Sequence, residues 1–513
     1  MTEPRAADAA EGSPASEPRL KPSLLTWRVP ASFWVWSLLL IASYLYPTLA
    51  HRQGAAQHAA KQTGISAQTL TDLTRAEMEM RLSLVPLLSS ATQPSTPAKL
   101  GKPPRLPADD ALSIYRTIAI RDKGAASARK AIILQHRRGT FDESFVSGTL
   151  ALALAARGAK PGEIESETAL WRALYGTPAG DRWGVFDARA VAARVRALKL
   201  GILEHQVLAD VYTRAGLPAD AAREKRVLAR SALGDVLRAL ALNGALIAGG
   251  IAGLGFLVLL LVAWRTDSWR IVARVPVAAN PADAPRLDGG ELLDVFVAYL
   301  AIYRAVSLLV GILPGAASLP LIPLVAGTSA GCSALAALYL YRKIVRFGWN
   351  PRDLGIAAGG RTLAHIAYGI AGYCAALPVV LAFSTVNSAV FHKSNSTLAP
   401  NPVLPLIAGE GSDVGRVILF LLVAVSAPLF EELFFRGVLY SALRTRFGIP
   451  AAVCLSALCF ASVHPMGDWL PIFGLGCALA AVRELRQSLI PGMVMHFCQN
   501  ALAFALLATL FSR

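Results

Sequence analysis

The long polar stretch from residue 51 to residue 238 contains no cysteine. All six cysteines of the chain, Cys332, Cys374, Cys454, Cys459, Cys477 and Cys498, fall in apolar segments further on. No disulfide framework can hold that polar stretch together, and the redox compartment stays open. Charge is scarce too: 16% of the 513 residues are charged against 54% hydrophobic, and the mean hydropathy is +0.47. That balance excludes a purely soluble chain and points to a multi-spanning membrane protein with a soluble insert. The net charge of +16 raises the question of nucleic acid, but the basic residues are spread along the chain and mostly flank apolar runs. Membrane topology accounts for them, so no nucleic-acid partner is expected.

What is present divides the chain. Residues 1–30, rich in Pro, Ala, Glu and Ser, read as a disordered tail. The apolar run 31–50 follows as a retained transmembrane anchor, because a polar lead of that length is too long for a signal peptide and no clear A-x-A site follows. Residues 51–238 are rich in Ala and Arg with apolar residues at helical spacing, which predicts an extramembrane helical domain. Within it, residues 88–107 carry five prolines and read as a linker. Residues 202–233 read as two amphipathic helices around Gly216, Leu217 and Pro218. They loosely resemble a tetratricopeptide pair, but one unit does not make a solenoid, and an irregular helical bundle is expected. Residues 239–290 should supply a transmembrane helix and a basic inner loop, and 291–513 the remaining spans. The fold class expected is all-α: a polytopic bundle of about 8–9 spans, each near the roughly 20 residues a bilayer requires, with the helical domain inserted after the first.

Orientation follows from Lys and Arg in the short connections. With the N-terminus inside, the inner segments hold 17 and the outer ones 3, namely Lys393, Arg416 and Arg513. This arrangement places 51–238 on the outer face, where it is available to a protein partner. The Ala, Arg and Leu bias suggests a bacterial cytoplasmic membrane. A glycosylation sequon at Asn395 carries no weight, since three-residue matches are frequent.

One apolar run breaks its own pattern. Residues 416–440 read RVILFLLVAVSAPLFEELFFRGVLY, with Glu431, Glu432 and Arg436 at membrane depth. A charged side chain at the centre of a spanning helix costs roughly 2.5–3.5 kcal/mol, so three together require pairing, a wet cavity or a function. At about 100° per residue Glu432 and Arg436 share a face at i,i+4, while Glu431 points roughly 140° from Arg436 and has no local partner. A desolvated carboxylate of that kind can act as general base on water. Pro428 removes a backbone hydrogen bond just upstream, and Ser426 is placed to satisfy a freed carbonyl.

Two further polar sites follow in apolar surroundings. Phe460-Ala461-Ser462-Val463-His464 sets a histidine one turn beyond an aromatic ring, with Phe460 itself read as packing. His496 and Asn500 stand at i,i+4 in the last apolar run. If the three helices converge, Glu431 and His464 could deprotonate a water while His496 and Asn500 donate to an oxyanion, which describes peptide hydrolysis without a covalent intermediate. His365 and Arg304 also lie in spans and are expected to line a cavity.

The strings APLFEELFFRGVLY, CFASVHP and SLIPGMVMHFCQNALAF resemble the three motifs of the CPBP family, the CAAX prenyl endopeptidases and bacteriocin-processing enzymes, which are intramembrane glutamate proteases. The resemblance spans about residues 290–513. It implies that Glu431 and His464 activate the water, that His496 and Asn500 form the oxyanion hole, and that Glu432 with Arg436 supports the site. No cofactor follows from it, and the substrate expected is a peptide or protein, prenylated or not. A zinc protease using Glu431, His464 and His496 is the rival mechanism, although H-E-x-x-H is absent. A non-proteolytic scaffold or transporter is the rival of another class.

Overall fold

The computed structural model describes residues 29–50, 67–84, 108–176, 185–266, 287–313, 319–356, 361–391, 412–465 and 468–510. The tail expected over 1–30, apart from its last two residues, the linker 88–107 and the sequon at Asn395 lie outside them. Every regular element among the described residues is a helix. In chain order they begin with α1 (Ala31–Ala50), α2 (Ala67–Leu84), α3 (Ala108–Arg121), α4 (Ala125–Arg137) and α5 (Glu143–Ala156). They continue with α6 (Pro161–Tyr175), α7 (Val185–Ala197), α8 (Leu203–Arg214) and α9 (Pro218–Arg265).

Helices α2 to α8 and the start of α9 share one hydrophobic core, centred on Trp171, Tyr115, Met80 and Ile132. Alanines fill the contacts between these larger side chains, so the helices approach closely. Local chemistry sets the ends: Asp142 accepts the Phe145 N–H at the start of α5, and Gly216, at φ +69°, makes the left-handed turn from α8 into α9. A buried ionic network crosses this core. Arg81 pairs with Asp235 and lies 3.9 Å from Glu77, while Lys130 pairs with Glu77 and Arg238 with Asp235.

Helix α9 runs 48 residues without a break. At 1.5 Å per residue it is about 72 Å long, more than twice the ~30 Å hydrocarbon thickness. Its first turns put Leu228 and Ala232 into that core, whereas Leu240, Ile247, Ile251, Leu254 and Leu259 are exposed further along. The change of composition near residue 238 therefore marks a change of surroundings on one continuous helix.

The rest is α10 (Gly289–Ile312), α11 (Leu321–Phe347), α12 (Thr362–Phe391), α13 (Asp413–Arg444), α14 (Ile449–Ser462), α15 (Trp469–Arg486) and α16 (Ile490–Leu510). Six helices among the described residues are long and apolar enough to cross a membrane: α9, α10, α11, α12, α13 and α16. With them the protein is an all-α, polytopic membrane bundle. Helix α1 lies along α10, with Trp36 edge-on to Tyr339 and the Arg304 guanidinium 4.2 Å over the Tyr44 ring. Gly253 lets α9 touch α12 backbone to backbone, since a Cβ there would overlap the Cys374 carbonyl. A second core joins α10, α11, α13 and α14, with Tyr299 stacked on Phe434 at 4.2 Å and Phe435 edge-on to both Phe296 and Phe460. This aromatic packing fixes the face of α13 that carries the charged residues.

Candidate active site

Helix α13 is not α-helical throughout. Two wider π segments, Leu421–Ser426 and Glu432–Leu439, flank the short α stretch Ala427–Glu431. In a π turn the N–H reaches five residues back, and such bulges gather at functional sites. The wider turn also changes which side chains share a face, so the separation of Glu431 from Arg436 expected from regular α geometry does not carry over unchanged.

Glu432 and Arg436 are buried together and joined, Arg436 Nη1 donating to Glu432 Oε1 at 3.0 Å. Arg436 Nη2 donates to the Gly476 carbonyl of α15 at 3.3 Å, and its guanidinium lies 4.2 Å over the Phe460 ring. The pair thus ties α13 to α15 and α14.

His496 enters from α16 and meets both glutamates. Its Nδ1 is 3.2 Å from Glu432 Oε1, and its Nε2 is 3.7 Å from Glu431 Oε2. One imidazole therefore stands between the two carboxylates. Glu431 keeps 22% of its side chain exposed, against 1% for Glu432. Among the described residues His496 is the ion-pair partner of Glu431, and no such contact joins Glu431 to His464.

His464 follows the end of α14, half-buried and fixed on two sides. Its Nδ1 is 2.7 Å from the Phe460 carbonyl, and its own carbonyl accepts from Trp469 Nε1 at 2.9 Å. A carbonyl only accepts, so Nδ1 carries a proton, and Nε2 is the ring nitrogen not engaged with Phe460. The Phe460 ring stands edge-on to both His464 and His496, at 4.8 and 5.7 Å, and spaces the two imidazoles.

Asn500 lies one turn beyond His496, and its Nδ2 donates to the Val423 carbonyl at 2.9 Å. The donor to a carbonyl near Pro428 is thus Asn500 rather than Ser426. Sequence reasoning also missed Gly476 as acceptor and Gly492, where a Cβ would come within 2.9 Å of Glu432 Oε2. Neither carries a chemical signal in the sequence. Tyr299 and Tyr303 lie within electrostatic reach of Glu431, with the Tyr303 hydroxyl 2.5 Å from Ser333 Oγ. Arg304 rests on Tyr44 of α1, and His365 is buried in the first turn of α12.

No group of three His, Cys, Asp or Glu side chains among the described residues is arranged to hold a metal ion.

Residues 413–502 match the family model described as type II CAAX prenyl endopeptidase Rce1-like. The chain carries an Rce1-like domain. The matched segment runs from the start of α13 into α16 and holds all six residues of the site. The apolar helices make this a multi-pass membrane protein, and the match supports a CAAX-type endopeptidase domain over residues 413–502. No curated protein and no solved structure matches the chain. Helices α1 to α12 lie outside the matched segment.

Proposed function

We propose that the protein is an intramembrane endopeptidase of glutamate type. The observation that carries the reading is the partly exposed Glu431 carboxylate, held against His496 while its neighbour Glu432 is buried and paired with Arg436. Glu431 takes a proton from water as the water oxygen bonds to the scissile carbonyl carbon, and His464 Nε2 is an acceptor for the same water. The oxyanion of the tetrahedral intermediate is met by N–H donors of His496 and Asn500. As the C–N bond breaks, the proton held on Glu431 passes to the leaving nitrogen. No covalent enzyme intermediate and no metal are needed for this sequence.

The excess of Lys and Arg on alternate connections supports a cytoplasmic N-terminus with the α2–α8 domain on the outer face, and the Ala, Arg and Leu bias supports a bacterial inner membrane.

The test compares membrane proteomes of cells expressing wild type and Glu431→Ala. New protein termini that depend on Glu431 are expected and would identify the substrate, while identical termini in the two strains would refute the reading. In the purified protein, His464→Ala should abolish cleavage without preventing insertion, and cleavage should resist chelators. Loss on chelation restored by zinc would favour the metal mechanism instead.

A further inference from the structure

Helix α13 has to place one carbonyl that its own backbone cannot satisfy. In the Leu421–Ser426 segment the helix follows the π register, with the Ala427 N–H donating to the Leu422 carbonyl five residues back. The next donor in that register is residue 428 and its acceptor is the Val423 carbonyl. Residue 428 is proline, which has no N–H. In the ordinary α register, Ala427 would serve Val423 and the orphan would be the Ala424 carbonyl instead. Which register α13 adopts therefore decides which carbonyl needs an outside donor.

The outside donor is Asn500, whose Nδ2 meets the Val423 carbonyl at 2.9 Å. Helices α13 and α16 are thus bonded at two levels, Asn500 to Val423 and His496 to Glu432, with Glu431 3.7 Å from the same imidazole. Each widened turn rotates everything that follows it, so the turn Asn500 holds open sets the azimuth from which Glu431 reaches His496. We infer that Asn500 is also a positioning residue: one of its two amide N–H groups holds the Val423 carbonyl, while the other remains for the oxyanion. The inference rests on the reading of Glu431 as the base.

Pro428 supplies the means of separating the two roles. Pro428→Ala restores a backbone N–H that can serve Val423, and the downstream half of α13 is pinned by the buried Phe434, Phe435 and Arg436. Asn500→Ala is made in full-length protein twice, once with Pro428 intact and once together with Pro428→Ala. Cleavage of a quenched peptide spanning a Glu431-dependent site and thermal unfolding in nanodiscs are then measured for the wild type, the two single variants and the double variant. With Pro428 intact, Asn500→Ala should lower kcat by about tenfold to a hundredfold and lower Tm, because a carbonyl is orphaned and the reacting group misplaced. Added to Pro428→Ala, the same substitution should still lower kcat through the lost oxyanion donor, but by several-fold less than with Pro428 intact, and leave Tm nearly unchanged. Equal losses of kcat and Tm in both backgrounds would overturn the inference and leave Asn500 with the oxyanion role alone. Glu431→Gln serves as control: full cleavage by that variant would sink the reading of the base, and the Tm comparison alone would still judge the clamp.

Discussion

The protein buries ionic groups in two places, and they are treated differently. In the core shared by α2 to α9, Glu77 and Asp235 are each reached by two cations: Arg81 and Lys130 on one, Arg81 and Arg238 on the other. In the membrane site there are also two carboxylates, but Arg436 serves Glu432 alone and His496 is divided between them. Glu431 is left partly exposed, with one contact longer than a hydrogen bond. A saturated network fixes which helices touch, whereas an unsaturated one keeps a carboxylate available for a proton. The difference separates structure from chemistry better than burial does, since both places are buried.

The comparison breaks most visibly at the residue that joins both roles. His496→Ala removes the partner of Glu431 and one of the two donors to Glu432, so cleavage should fall by about a thousandfold or more. Tm should fall with it, because a buried carboxylate loses a donor. Peptide cleavage and thermal unfolding of the same sample check both effects, and a variant with unchanged Tm would detach His496 from the scaffold.

Arg81→Met should do the opposite. It leaves Glu77 and Asp235 with one cation each, costing roughly 3 kcal/mol of stability by the usual effect of breaking a buried pair. The cleavage rate per folded molecule should not change. Denaturant unfolding of the full-length protein in nanodiscs measures the first effect, and a matched drop in kcat would show that the two ionic centres are coupled.

A smaller effect sharpens the α2–α9 side of the comparison. Burial pushes the Asp210 carboxyl from its ordinary 3.8 up to about 6, although hydrogen bonds from Tyr175 at 3.1 Å and Gln206 at 3.1 Å pull it down. The folded chain then binds more protons than the unfolded chain across that window, so Asp210 makes stability fall as pH rises from about 4 to 6, by roughly 2–3 kcal/mol. Asp210→Asn should remove that decline and unfold at a higher temperature than wild type at pH 7. A decline that persists in the variant would assign it to another group.

The six residues of the site were legible because their residue types are out of place in apolar runs, and three motifs in order make the exception hard to ascribe to packing. Their connections were less legible. Assigning faces at a regular helical angle presumes one register, and the π segments on both sides of Ala427–Glu431 remove that premise. Hence the sequence separates Glu431 from its neighbours while the fold brings both glutamates to one imidazole. Pro428 announced an orphaned carbonyl, but its donor sits 77 residues away and no local pattern points to it. Charges on Ala-rich amphipathic helices look like a solvated face, so the pairing of Arg81 with Asp235 was invisible until α9 was placed against α2. Likewise hydropathy registers the entry of α9 into the membrane but cannot tell that one helix continues through it.

The most direct measurement is cleavage and thermal unfolding of purified Glu431→Gln beside wild type in the same nanodiscs. Glutamine keeps the shape of the side chain and removes the base, so cleavage should fall by on the order of a thousandfold while Tm stays within the error of wild type. Cleavage at the wild-type rate, or a loss of activity explained by a matching loss of folded protein, would contradict the account.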